Sequence, residues 1–255
     1  MKILFTWVLA AALCGCISPS TGPTKREDAA QDLTNRAHAH MELGMSYYEN
    51  GKYQFAIEEL NEALKARSDY VPAHSGLALV YMELKEDKKA EAAFKKALRY
   101  EPGNSSARNN FGQFLCSRGR TEEGLRQLLE AVKNPLYQTP DTAYQNAGVC
   151  ARRIGDNARA EEYFRQAVMR NPRHAQALLN LSDLNYLKKN YAQAKVYADQ
   201  LLQFTQAPGP ELLWLSTRIA RKLGDGDGVI QHANQLRRRY PDAPETRALL
   251  DGRFE

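Results

Sequence analysis

One spacing constrains this chain more than any other feature: small and bulky residues recur every 34 residues, and the pattern overlays itself six times. One frame reads Leu43, Gly44, Tyr47, Ala56, Leu60 and Ala63. The next reads Leu77, Ala78, Tyr81, Ala90, Phe94, Ala97 and Pro102, and a later one Ala147, Gly148, Ala151, Ala160, Phe164, Ala167 and Pro172. Inside each frame the apolar residues fall three and four apart, the period of a helix, and no stretch alternates at the two-residue period of a strand. An all-α chain follows. Several of the 11 prolines stand at frame ends, where a residue without an N–H stops the second helix of a pair.

This periodicity resembles the tetratricopeptide repeat, in which two antiparallel helices per repeat stack into a right-handed superhelix. Six repeats are expected at 37–70, 71–104, 105–138, 141–174, 175–208 and 210–243, with 244–255 as a C-terminal cap or tail. A Gly or Ala near each helix middle lets the neighbour approach, and Leu, Phe or Tyr fills the space beside it. The third frame ends irregularly in Asn134-Pro135-Leu136-Tyr137, and Thr139-Pro140 is inserted before the fourth. The fifth has Ser182 where Gly or Ala is common, and the sixth is the most degraded, with Gly224–Gly228 as its turn. End repeats have one neighbour to satisfy, so degradation is expected there.

The N-terminus reads as an address. Lys2 is followed by an apolar run from Ile3 to Leu13, too short for a span of about 20 residues and suited to a secretory signal. Leu13-Cys14-Gly15-Cys16 resembles the bacterial lipobox. That resemblance implies a signal peptide at 1–15, cleavage after Gly15, and diacylglycerol plus an N-acyl chain on Cys16. Cys14 does not fit, because bulky Leu13 precedes it. Several acyl chains, at about 0.8 kcal/mol per buried CH₂, anchor where one would be marginal. An ordinary cleaved signal with incidental cysteines is the alternative. Ile17, in place of an aspartate after the cysteine, favours the outer membrane facing the periplasm. The following Ser/Thr/Pro-rich and then charged stretch makes 16–36 a lipidated tether.

Catalysis is not expected. The formal net charge of +5 is spread over 255 residues with no Lys/Arg run longer than Arg237–Arg239, which argues against a nucleic-acid partner. The five histidines form no ligand spacing, and His40 and His74 recur at one frame position as packing residues. Asp225-Gly226-Asp227-Gly228 lacks the remaining ligands of a calcium loop. No phosphate-binding glycine loop, nucleophile elbow or zinc spacing appears. No metal, no cofactor beyond the acyl chains, no small-molecule substrate and a monomeric state are therefore expected. Cys116 and Cys150 lie late in the first helices of adjacent repeats. Stacked helices about 8–10 Å apart allow a bridge in an oxidising compartment; two buried free thiols are the other possibility.

A superhelix of this kind exposes a concave face, built from first-helix positions two, five, nine, twelve and thirteen of each frame. The residues there are Met41, Met45, Tyr48, Leu79 and Met82 at an apolar N-terminal end, Asn109, Gln113, Gln145 and Arg152 in the middle, and Trp214 and Arg218 at a basic, aromatic end. Methionines suit an irregular apolar segment, and amides suit the backbone of an extended one.

Asn109-Asn110-Phe111-Gly112-Gln113-Phe114-Leu115-Cys116, Leu136-Tyr137 and Asn146-Ala147-Gly148-Val149-Cys150 resemble the type IV pilus biogenesis and stability lipoproteins of the PilF/PilW family. The resemblance implies a pilotin: an outer-membrane lipoprotein that binds the pilus secretin subunit, promotes its localisation and multimerisation, and supports twitching motility. A scaffold for peptidoglycan enzymes, or a subunit for outer-membrane-protein assembly, is the alternative reading.

Overall fold

Helices form wherever the frame places its apolar stripe. The computed structural model describes residues 25–254, and these hold thirteen helices and no strand. They pair as α1 (Lys25–Glu49) with α2 (Tyr53–Ala66), α3 (Val71–Glu83) with α4 (Asp87–Tyr100), and α5 (Ser105–Ser117) with α6 (Thr121–Ala131). The second half continues with α7 (Pro140–Arg153) and α8 (Asn157–Arg170), α9 (Ala175–Leu187) and α10 (Tyr191–Phe204), then α11 (Pro210–Leu223) and α12 (Gly226–Arg239). The short α13 (Pro244–Leu250) closes the array against α11 and α12. Each helix packs on the next in sequence, so the core is a row of clusters along the axis with no central mass. This is an all-α tetratricopeptide superhelix.

The seam inside each pair depends on size complementarity. Position eight of the frame is Gly44, Ala78, Gly112, Gly148, Ser182 and Thr217, all buried. Position 24 is Leu60, Phe94, Leu128 and Phe164 in the first four repeats, each at 0% exposure. A Cβ on Gly148 would lie 2.4 Å from the Phe164 ring, and one on Gly112 2.7 Å from Leu128 Cγ. In the last two repeats position 24 shrinks to Ala198 and Ala233, and position eight grows to Ser182 and Thr217. The added hydroxyls are satisfied: Ser182 donates to the Ala194 carbonyl (2.9 Å) and Thr217 to the Leu213 carbonyl (2.8 Å).

Helix ends follow ordinary chemistry. Asn104, Asp156 and Asp225 accept from backbone N–H groups of α5, α8 and α12 at 2.9–3.0 Å, and proline stands in the first turn of α3, α7, α11 and α13. The turn inside every pair has one left-handed residue, always at position 15. It is Gly51, Gly119, Gly155 and Gly224 in four repeats, with φ between 69° and 77°, but Lys85 (58°) and Lys189 (62°) in the other two.

Three features depart from the sequence reading. The segment 25–36, read as part of the tether, is the first half of α1. Ala29, Ala30, Gln31 and Leu33 are compatible with helix, and Arg67, just past the end of α2, donates to Thr34 (3.3 Å). Residues 1–24, with the expected signal peptide, Cys16 and the start of the tether, lie outside the described residues. Second, the Gly224–Gly228 turn is shorter than expected, because Asp225 caps α12 and draws Gly226–Gly228 into its first turn. Third, Leu43 is 44% exposed although its counterparts Leu77 and Phe111 are each 6% exposed. It belongs to the first repeat, which no other helix pair precedes among the described residues.

A side chain in the left-handed region costs about 1–2 kcal/mol relative to glycine. Lys85→Gly and Lys189→Gly are therefore each expected to stabilise the array by about 1 kcal/mol, and Gly155→Lys to destabilise it by a similar amount, in thermal melts followed by circular dichroism.

Candidate functional site

The first helices form one face of the array. α1, α3, α5 and α7 lie against one another in turn and α9 lies against α11, whereas α7 and α9 meet less extensively. Arg152 spans that wider junction, donating to Asn180 (2.8 Å) and pairing with Asp183.

At the N-terminal end of this face, Met41, Tyr48, Leu79 and Met82 are partly buried and pack on the core of the first three repeats. Met45 joins them: its Sδ lies 3.1 Å from where a Cβ on Gly76 would stand, so it bridges α1 and α3. Burial, and then the Glu83 carboxylate, push the Tyr48 phenol above its ordinary pKa. The mixture of flexible thioethers and aromatic rings can adapt to irregular apolar partners.

The middle of the face differs from expectation. Gln113 is exposed, but Asn109 and Gln145 are each only 8% exposed. The close approach of α5 and α7 turns Asn109 inward, where its Oδ1 accepts from Asn146 (3.0 Å) and its amide donates to Asn110 (3.2 Å). The Asn109 side chain thus joins helices instead of facing a ligand.

At the C-terminal end, Arg152, Leu179, Asp183, Trp214 and Arg218 line a cleft of about 310 Å³. Arg218 lies over the Tyr186 ring (4.5 Å) and the Trp214 ring (5.7 Å). Leu179 and Asp183 are positions five and nine of the fifth frame, so the spacing that selected Trp214 and Arg218 could also have found them. Tyr186, at position twelve, follows the same rule. Among the described residues no cluster of three His, Cys, Asp or Glu is placed to hold a metal, and no helix is long and apolar enough to cross a membrane.

Cys116 and Cys150 are disulfide-bonded, with Cα atoms 5.4 Å apart. The bridge ties α5 to α7 across the irregular junction, where α6 stops at Ala131 and the linker leaves Leu136 79% exposed. Gly124 of α6 makes the room: a Cβ there would fall 2.3 Å from Cys116 Sγ and 2.7 Å from the Gly112 carbonyl. On the opposite face, Arg120 pairs with Glu91 and Glu123 (2.7 Å each), and Arg159 with Glu122 (2.8 Å) and Asp156 (2.6 Å). These arginines hold the Glu122 and Glu123 carboxyls below the usual range. Such exposed pairs set register between second helices more than they add stability.

Stacked helix pairs with an open face define a tetratricopeptide-repeat protein, a scaffold that holds other polypeptides. The tetratricopeptide repeat family model matches residues 41–105 and 88–141, and the middle TPR-like domain of cilia and flagella-associated protein 70 matches 136–220. The type IV pilus assembly protein PilF of Pseudomonas aeruginosa is 29% identical over 245 residues, 96% of either chain. A solved structure of Pseudomonas aeruginosa PilF superposes with a TM-score of 0.76, covering 87% of this chain and 99% of that one. The crystal structure of PilW, described as a widely conserved type IV pilus biogenesis factor, gives 0.74 at 27% identity, covering 84% and 98%. This chain is a PilF/PilW-like tetratricopeptide-repeat protein.

A closed loop of this separation, 34 residues, confers about 3–4 kcal/mol in the chain-entropy account. Replacing Cys116 and Cys150 together by serine should lower stability by up to that amount in denaturant titrations. Adding reductant to the unmodified protein should reproduce the loss.

Proposed function

We propose that this protein acts in type IV pilus biogenesis as a pilotin. It sits in the outer membrane through acyl chains on Cys16, faces the periplasm, and holds the pilus secretin subunit so that it reaches the membrane and multimerises. Near-full-length similarity to PilF and PilW supports the pilus role. The single observation behind the secretin site is the partly buried row Met41, Met45, Tyr48, Leu79 and Met82, continuous across α1 and α3 and backed by the core of three repeats. An unassembled secretin exposes apolar segments, and a membrane-anchored apolar groove raises their local concentration at the bilayer.

Met45→Lys with Tyr48→Lys keeps good helix formers but puts two charges on this surface. Secretin multimers should be lost from membranes while the variant protein stays abundant and helical; undiminished multimers would reject this site. Independently, Cys16→Ala should move the protein from the membrane pellet to the soluble periplasmic fraction and leave the secretin mislocalised. Retention in the pellet would overturn lipidation at that residue.

A further inference from the structure

The last described residues run back over the array. After α13 the chain reverses at Gly252 (φ 68°), and Tyr186 of α9 donates its hydroxyl to the Phe254 carbonyl (3.4 Å). The Phe254 ring centroid lies 5.3 Å from that of Trp214, tilted by 36°, and the Arg221 guanidinium stands 3.9 Å from it. Trp214 and Arg221 are positions five and twelve of the sixth frame, and Tyr186 is position twelve of the fifth. These positions form the groove face. Phe254 therefore occupies a seat on the binding surface itself.

The seat is built like a recognition site. Arg218 stacks on both Tyr186 and Trp214, and its Nε is buried with no hydrogen-bond partner among the described residues. Arg218 and Arg221 make no ion pair among the described residues, so two unpaired cations stand against the rings of this seat. The 310 Å³ cleft beside Trp214 leaves room for the chain flanking that ring. The present occupant is held weakly: an aromatic pair is worth about 0.5–1.5 kcal/mol and a cation–π contact about 0.5–1 kcal/mol.

We propose that this seat is a second binding site of the groove, which takes an aromatic side chain followed by a carboxylate in an extended segment of a partner polypeptide. The chain's own Phe254, which Glu255 follows in the sequence, fills the ring seat and acts as a built-in competitor. The proposal does not depend on which protein the methionine-rich end holds.

The probe is a fluorescein-labelled peptide, LDGRFE, which repeats the chain's own ending, titrated by anisotropy into the full-length protein. If the tail fills the seat in roughly nine molecules of ten, Phe254→Ala should bind the peptide about ten-fold more tightly than the unmodified chain. The same variant should not bind LDGRAE, and adding Arg221→Glu, an exposed position, should abolish binding of LDGRFE. Adding Trp214→Ala should do likewise, with circular dichroism melts confirming that each variant is folded. Equal affinities for the unmodified and Phe254→Ala chains, absence of saturable binding by Phe254→Ala, or binding indifferent to the peptide's phenylalanine or to Arg221 would each overturn the proposal.

Discussion

Everything in this molecule depends on how closely the two helices of a pair approach. Where position eight has no side chain, the residue at position 24 of the partner helix fills the gap, and a single added methyl would overlap Leu60, Leu128 or Phe164. That approach sets the angle between the helices, the angle sets the stacking of one pair on the next, and stacking produces the groove face. In the fifth and sixth repeats the sizes are exchanged, with Ser182 and Thr217 opposite frames that have Ala198 and Ala233. The seam therefore changes character there, from large side chains filling the gap to small residues on both helices, with Ser182 bonded to the Ala194 carbonyl across it.

A row of local clusters has consequences that a central core would not. Each repeat depends on its neighbours only, so chemistry can vary along the face without disturbing the whole. Along this chain it changes from thioethers and tyrosines on α1 and α3, through interlocked amides on α5 and α7, to arginines and aromatic rings on α9 and α11. The Cys116–Cys150 bridge lies midway, where the α6–α7 linker interrupts the regular spacing. It holds the two chemically different ends in fixed relation.

Much of the fold was legible in the sequence because the frame carries it. Helix pairs, their order and the small-to-large seam follow from residues such as Gly148 and Phe164 without reference to coordinates. The groove was legible only in part. Spacing selects a helix face, but the neighbouring helix decides how much of that face stays open, and the close approach of α5 to α7 buried Asn109 and Gln145. The start of α1 was misread because charged and small residues there resemble tether composition, yet they are also compatible with helix. Phe254 could not be found at all: it lies outside the frame, and only the reversal at Gly252 brings it to Trp214.

The length of α1 bears on how the groove could be presented. Residues 25–36 continue the helix beyond the first buried position, Ala37, and at 1.5 Å per residue they form a rod of roughly 18 Å. A rod transmits orientation where a string would not. Because α1 is one continuous helix, the direction of this rod and the methionine-rich face of the first repeat are fixed relative to each other.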